Sequence, residues 1–205
     1  MNVAILVFDG FNELDAFVPA ALLNGLAAEG LSAAIAAPAP EATSQGGVRI
    51  AAQHRLDFAN AAEAVLIAGG ARAEAIASDP AVLGALSLDP ARQIIVSQGS
   101  GAHLLAALGL VAPGRPICTD LASAPAIRAL GFTTPGKPFH AEGDVASAGG
   151  ALASQYAAAW IAARLLGVNA MERMVWDAAP VGEKDAWLAR TLSAVDPFLR
   201  FAEAA

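Results

Sequence analysis

Short, uninterrupted apolar runs recur along the chain, each closed by glycine, proline or a polar turn, and longer alanine- and leucine-rich stretches lie between them. A run without polar alternation is the mark of a strand covered on both faces. Such strands separated by helices imply a mostly parallel sheet with helices on both sides. The predicted strands are residues 2–8, 31–37, 64–67, 93–97 and 114–119. Helices are predicted over 17–29, stopped by Gly30, after the Asp79-Pro80 cap, over 101–108 and 123–130, and over 151–166, ended by Gly167. Asn169-Ala170-Met171-Glu172 resembles a capping box that opens another helix, and a last amphipathic helix runs from Glu183 with Trp187 and Leu188 inward. Trp160 and Trp176 also read as inward-facing. Residues 43–49 read as a turn around Gly46-Gly47, and 139–147 as a hairpin with Glu142-Gly143-Asp144 at its tip. No linker or internal repeat divides the chain, so residues 1–205 read as one α/β domain.

Composition narrows the function classes. With 12 basic and 19 acidic residues the net charge is -7, which disfavours nucleic acid and anionic membranes as partners. Met1 is followed directly by an apolar strand, with no basic region or cleavage pattern of a secretory signal, and no apolar run has the length of a membrane span. The single cysteine, Cys118, excludes an internal disulfide, and no His pair has metal-ligand spacing. The expectation is a cytoplasmic protein with no metal and no cofactor.

Ligands of open parallel sheets collect at the carboxyl ends of the strands. Three such ends carry unusual residues: the segment from Asp9 to Asp15, Ala68-Gly69-Gly70, and Ser97-Gln98-Gly99-Ser100-Gly101. The third is a sharp strand-to-helix turn. An elbow of this kind lifts one side chain above the sheet at the positive end of a helix, where backbone N–H groups suit an oxyanion. The same glycines also fit an ordinary connecting loop. The strict G-x-S-x-G pattern is absent, because Gln98 stands where a glycine is needed, so Ser100 is a weak nucleophile candidate. Asp15 is either functional or a helix N-cap ahead of residues 16–25. Cys118, flanked by Ile117 and Thr119, reads as an inert core residue. His103 reads as a buried helix residue, His54 as a surface residue, and His140 as a candidate for the cleft rim. The fold expected from these features is a flavodoxin-like three-layer sandwich with an elbow turn.

Together the three segments resemble the ThiJ/PfpI superfamily (the DJ-one-like family), above all its isocyanide-hydratase-like branch. The resemblance covers nearly the whole chain. Val7-Phe8-Asp9-Gly10-Phe11-Asn12-Glu13-Leu14-Asp15 with Pro19 is similar to that family's opening, and Gly69-Gly70 to its glycine pair after the third strand. The run from Gly101 to Leu110 resembles its G-A-x-L-L-A-A-x-G-L helix, and Ala146-Ser147-Ala148-Gly149-Gly150 its late T-A-G-G segment. The family carries a reactive cysteine on the elbow, and by this resemblance Gly99 occupies that slot. A residue often histidine in the family corresponds here to Asp120. Gly99 is then either a natural departure or a replaced cysteine.

The resemblance implies a homodimer and two classes of function. The first is an enzyme that hydrates or hydrolyses a small molecule. Asp15, the Gly99 slot, Ser100 and Gly70 would form the catalytic group, with Gly70 and Ser100 N–H groups facing an oxyanion and Asp15 acting as acid or base. Gly69, Gln98, Asp120 and His140 would contact the small-molecule ligand. The second is a sensor-like module of the same fold that binds a small molecule without turnover. A conventional cysteine protease is disfavoured, since the elbow offers no thiol.

Overall fold

Apolar strands that alternate their side chains between two covered faces build the centre of the protein, described here from a computed structural model over residues 1–199. In β1 (Asn2–Leu6), Val3 and Ile5 enter one hydrophobic core while Ala4 and Leu6 enter another on the opposite side. This is why the run shows no polar alternation. Next come α1 (Glu13–Asn24), β2 (Ser32–Ala37), the short hairpin of β3 (Glu41–Thr43) and β4 (Arg49–Ala51), and β5 (His54–Arg55). Then follow β6 (Ala64–Ile67), α2 (Ala73–Ala77), α3 (Pro80–Ala85), β7 (Ile94–Gln98), α4 (Ala102–Ala107) and α5 (Ala124–Ala129). The hairpin of β8 (Phe139–Glu142) and β9 (Val145–Ala148) leads to α6 (Ser154–Leu166), α7 (Val168–Ala178) and α8 (Lys184–Val195).

The main sheet has the order β5-β2-β1-β6-β7-β9-β8, and every neighbouring pair is parallel except β8 with β9. One face is covered by α1, α6 and α7, with Leu23, Trp160 and Met171 packed on Ile5, Leu66 and Val96. The other is covered by α3, α4 and the turn after β5, with Val82, Leu104, Leu105 and Leu56 against Leu6, Ile67 and Ile95. The fold is thus a three-layer, flavodoxin-like α/β sandwich, as the alternation of the sequence implies. The fully buried Ile and Leu side chains of these faces each contribute about 1.5–3 kcal/mol of transfer free energy.

Several local expectations need correction. Residues 114–119 do not form the fifth strand. Pro116 has no N–H for a ladder, and its one β-type contact is an isolated bridge to Thr133. The place beside β7 is taken by β9, which pairs Ile95 with Val145. Helix α1 starts at Glu13 rather than residue 17, because Asn12 Oδ1 accepts the Leu14 N–H at 3.0 Å and acts as the cap. Asp15 therefore lies inside the helix and is not its N-cap. Helix α7 opens directly after Gly167, with no side-chain cap from the Asn169 box. Trp176 faces outward, 40% exposed, with Lys184 above its ring, whereas Trp160 is fully buried. Among the described residues no helix is long and apolar enough to cross a membrane.

Candidate functional site

Three chain segments converge above the carboxyl ends of β1, β6 and β7. Phe11 ties them together: it is 1% exposed and forms isolated bridges with Ser44 and Gly70. The next turn of chain enters α1 and brings Asp15 over the end of β6. Asp15 is 3% exposed. Asp15 Oδ2 accepts the Gly69 N–H at 3.1 Å, and Gln98 Nε2 donates toward Oδ1 at 3.5 Å. Burial pushes the Asp15 pKa up to about 7 in spite of these two bonds, and the negative charge of Asp120 pushes the same way.

The elbow follows β7. Gly99 has φ +53°, a left-handed conformation that glycine adopts without the strain a side chain would bring. Residues Gly99–Gly101 make a 3-10 turn that runs straight into α4. Gly101 permits the close packing of this turn on β6: a Cβ there would lie 2.3 Å from the Ile67 carbonyl oxygen. A Cβ on Gly99 would lie 3.0 Å from Asp15 Oδ2 and 3.6 Å from Asp120 Oδ2, so position 99 faces two carboxylates.

Asp120 reaches the elbow from the segment that lacks strand pairing. Thr119 Oγ1 donates to the Gly99 carbonyl at 2.8 Å, and the Cys118 N–H donates to Ser147 Oγ at 2.8 Å. Asp120 itself accepts from the Ser123 N–H through Oδ1 at 2.8 Å and from Ser123 Oγ through Oδ2 at 3.0 Å. Thr119 and Ser123 are site-building residues that the sequence reading missed. Their one signal was position, on either side of Asp120.

Ser100 and Gly70 engage each other. The Gly70 N–H donates to Ser100 Oγ at 2.8 Å, and Ser100 Oγ lies 3.1 Å from the Gly70 carbonyl. The N–H expected to face an oxyanion is thus given to a hydroxyl in this structure. Gln98 is fully buried and donates from Nε2 to the Gly150 carbonyl at 2.8 Å, which links the elbow to the glycine pair after β9. A cavity of about 10 Å3, room for about one water molecule, is bordered by Gly69, Gly70, Ser100 and Gly101. A cleft of about 560 Å3 shares Phe8, Asp9 and Ile76 with it and opens toward Arg55 and Arg72.

Asp15, Gly69, Gly70, Gln98, Gly99, Ser100 and Asp120 are therefore brought together. His140 is not: it sits on the edge strand β8, 3.3 Å from Glu142 Oε1 and edge-on to Phe198, and borders a separate hollow with Arg115 and Ser147. His54 is exposed on β5 and stacks on Phe58. His103 is buried, with Glu74 the carboxylate nearest it at 3.9 Å. Among the described residues no group of three or more His, Cys, Asp or Glu side chains is arranged to hold a metal ion.

Cys118 is 1% exposed, and burial pushes its thiol up to about 11. The thiolate is the reacting form, so iodoacetamide at neutral pH should leave Cys118 unmodified in the native protein and alkylate it fully in denaturant. Mass spectrometry of the two samples checks this. Rapid native labelling would show an accessible thiol instead.

The sequence pattern of the DJ-1/PfpI family matches residues 1–162. No curated protein matches the chain in sequence. Among solved structures, the chain is similar to a cysteine-to-alanine mutant of a DJ-1 superfamily protein from Salmonella typhimurium, with 25% identity, a TM-score of 0.71, and coverage of 84% of this chain and 94% of that one. A ThiJ/PfpI family protein from Pseudomonas syringae gives 19% identity and a TM-score of 0.76 over 98% of this chain and 90% of its own. DJ-1beta of Drosophila melanogaster gives 19% identity and a TM-score of 0.72 over 85% and 95%.

Proposed function

The chain belongs to the DJ-1/PfpI family, and from that premise we propose that it hydrates or hydrolyses a small neutral molecule, in the manner of the isocyanide-hydratase branch it resembles, with Asp15 supplying the proton. In this reading Gly99 stands where the family has its reactive cysteine, so no covalent intermediate forms on the elbow. The observation that carries the proposal is the buried Asp15 carboxyl beside position 99, with a pKa of about 7. A general acid works best when its pKa is near the operating pH.

Other candidates fit the chemistry less well. Ser100 is tied to both the N–H and the carbonyl of Gly70, so its hydroxyl is a poor nucleophile. Water is the nucleophile that remains. The charge of Asp120 and the desolvated Asp15 beside Gly99 both oppose an anionic substrate, which favours a neutral polar one. For an isocyanide, a proton from Asp15 goes to the terminal carbon, water adds to that carbon, and the imidic acid formed rearranges to a formamide.

A second reading is a non-catalytic module that binds a small neutral molecule at the same slot. The absence of a side chain at position 99 favours it. Proton NMR of the protein with a panel of alkyl and aryl isocyanides separates the two. Formamide formation that Asp15→Asn abolishes supports the enzyme. Saturable shifts at Gly99 and Ser100 without product support the binding module. A sample that gives neither product nor shifts would overturn both.

We propose further that the protein is a homodimer. Leu121, Leu152 and Val181 are strongly exposed apolar side chains on this chain, and a partner copy is one way to cover such surface. Sedimentation velocity at micromolar concentration should give the mass of two chains. A monomer there would overturn the dimer.

A further inference from the structure

We propose that Asp120 is the base of a two-carboxylate acid–base pair with Asp15, and that the water activated by this pair is the nucleophile in place of any side chain on the elbow. This rests on the hydration reading above and deepens it by assigning the second proton transfer. The geometry carries the argument. Asp15 Oδ2 and Asp120 Oδ2 both reach the point where a side chain at position 99 would begin, at 3.0 and 3.6 Å. With glycine there, no side chain stands between the elbow backbone and the two carboxyl groups, and the nearest cavity, which has room for about one water molecule, borders the adjoining Ser100 and Gly69.

The two carboxylates sit in different surroundings. Asp15 is buried, with its proton favoured by desolvation. Asp120 is half-buried and accepts hydrogen bonds from the Ser123 N–H and hydroxyl, which leave Oδ2 a second acceptor direction. The groups that act on Asp15 are the Gly69 N–H, Gln98 and Asp120, and of these Asp120 is the charged one. A buried carboxyl that favours its proton and a second carboxyl group at the same point place an acid and a base within reach of one substrate.

The step balances. The water oxygen bonds to the electrophilic carbon and its proton passes to Asp120. The Asp15 proton passes to the substrate. The net change is addition of one water, and the enzyme returns to its starting state when the proton on Asp120 is released to solvent and Asp15 takes one up. No oxidant, reductant or co-reactant is needed.

Asp120→Asn tests the assignment. Asparagine still accepts from Ser123 but cannot take a proton. Isocyanide hydration should fall about a hundredfold in kcat with KM little changed. Its pH–rate profile should lose the acid limb that Asp120 supplies. In the same variant the carbon-13 titration of the Asp15 carboxyl should move to lower pH, because a like charge has gone. A purely structural role for Asp120 would leave the acid limb in place. Full activity in Asp120→Asn would overturn the pair while leaving hydration by Asp15 intact. If the wild-type protein hydrates no isocyanide, the functional reading fails separately, and the pairing is decided by the titration. An unchanged Asp15 midpoint in Asp120→Asn then overturns it, and a lowered one supports it.

Discussion

Replacing Asp15 by asparagine should raise the melting temperature by roughly 10 °C at pH 8, leave it nearly unchanged at pH 4, and abolish the proposed hydration. The folded carboxyl titrates at about 7 against a usual value of 3.8. Between these values the folded protein keeps a proton that the unfolded chain has released. Stability from this group is therefore fully present below about pH 4 and is lost as pH rises through 7. The shift corresponds to roughly 4 kcal/mol at alkaline pH. Asparagine accepts the Gly69 N–H equally well but never carries the buried charge, so it escapes this loss. A gain in stability coupled to a loss of activity is what a functional group held against its solvation preference should give. Differential scanning calorimetry of both proteins at the two pH values measures it. A variant that is less stable than wild type at pH 8 would mean that Asp15 is a structural anchor instead.

Gly101→Ala should destabilise the protein by about 3 kcal/mol or more and disturb the elbow. The added methyl would lie 2.3 Å from the Ile67 carbonyl oxygen and 3.1 Å from its carbon. These are backbone atoms of a central strand, fully buried and paired on both sides, so they cannot move aside as a flexible side chain would. The start of α4 must retreat instead, and it takes Ser100 and Gly99 with it. Urea unfolding should show a lower midpoint with an unchanged slope. Unaltered stability would mean that the elbow relaxes freely, and then its position would not be set by contact with β6.

The central layers were legible because burial on two faces writes itself into a strand as a continuous apolar run. Residues 2–8, 64–67 and 93–97 are of this kind, and they flank the elbow. Asp15, Gly69 and Gly99 were legible because turn chemistry and the resemblance marked the same ends. What failed in the sheet had a non-local cause. Residues 114–119 look like a strand by composition, but the β8–β9 hairpin, far along the chain, occupies the place beside β7. The capping role of Asn12 was hidden because Asp15 also fits a helix start. Thr119 and Ser123 signalled only by their place on either side of Asp120, since a hydroxyl that braces a loop leaves no periodic pattern. His140 was assigned to the rim from its position near the hairpin, yet its pairing with Ser147 puts it on the edge strand.

The two walls of the site differ in how deeply they are built into the fold. Asp15 and Gly99 belong to elements whose displacement would disrupt both cores. Asp120 arrives on a segment outside the ladder, stitched to the elbow by the Thr119 hydroxyl and to β9 by the Ser147 hydroxyl. Substitutions at 119–123 can therefore change the group that faces a ligand while the sheet stays as it is. One wall is thus fixed by the packing of the sheet and its helices, and the other by two hydroxyl contacts.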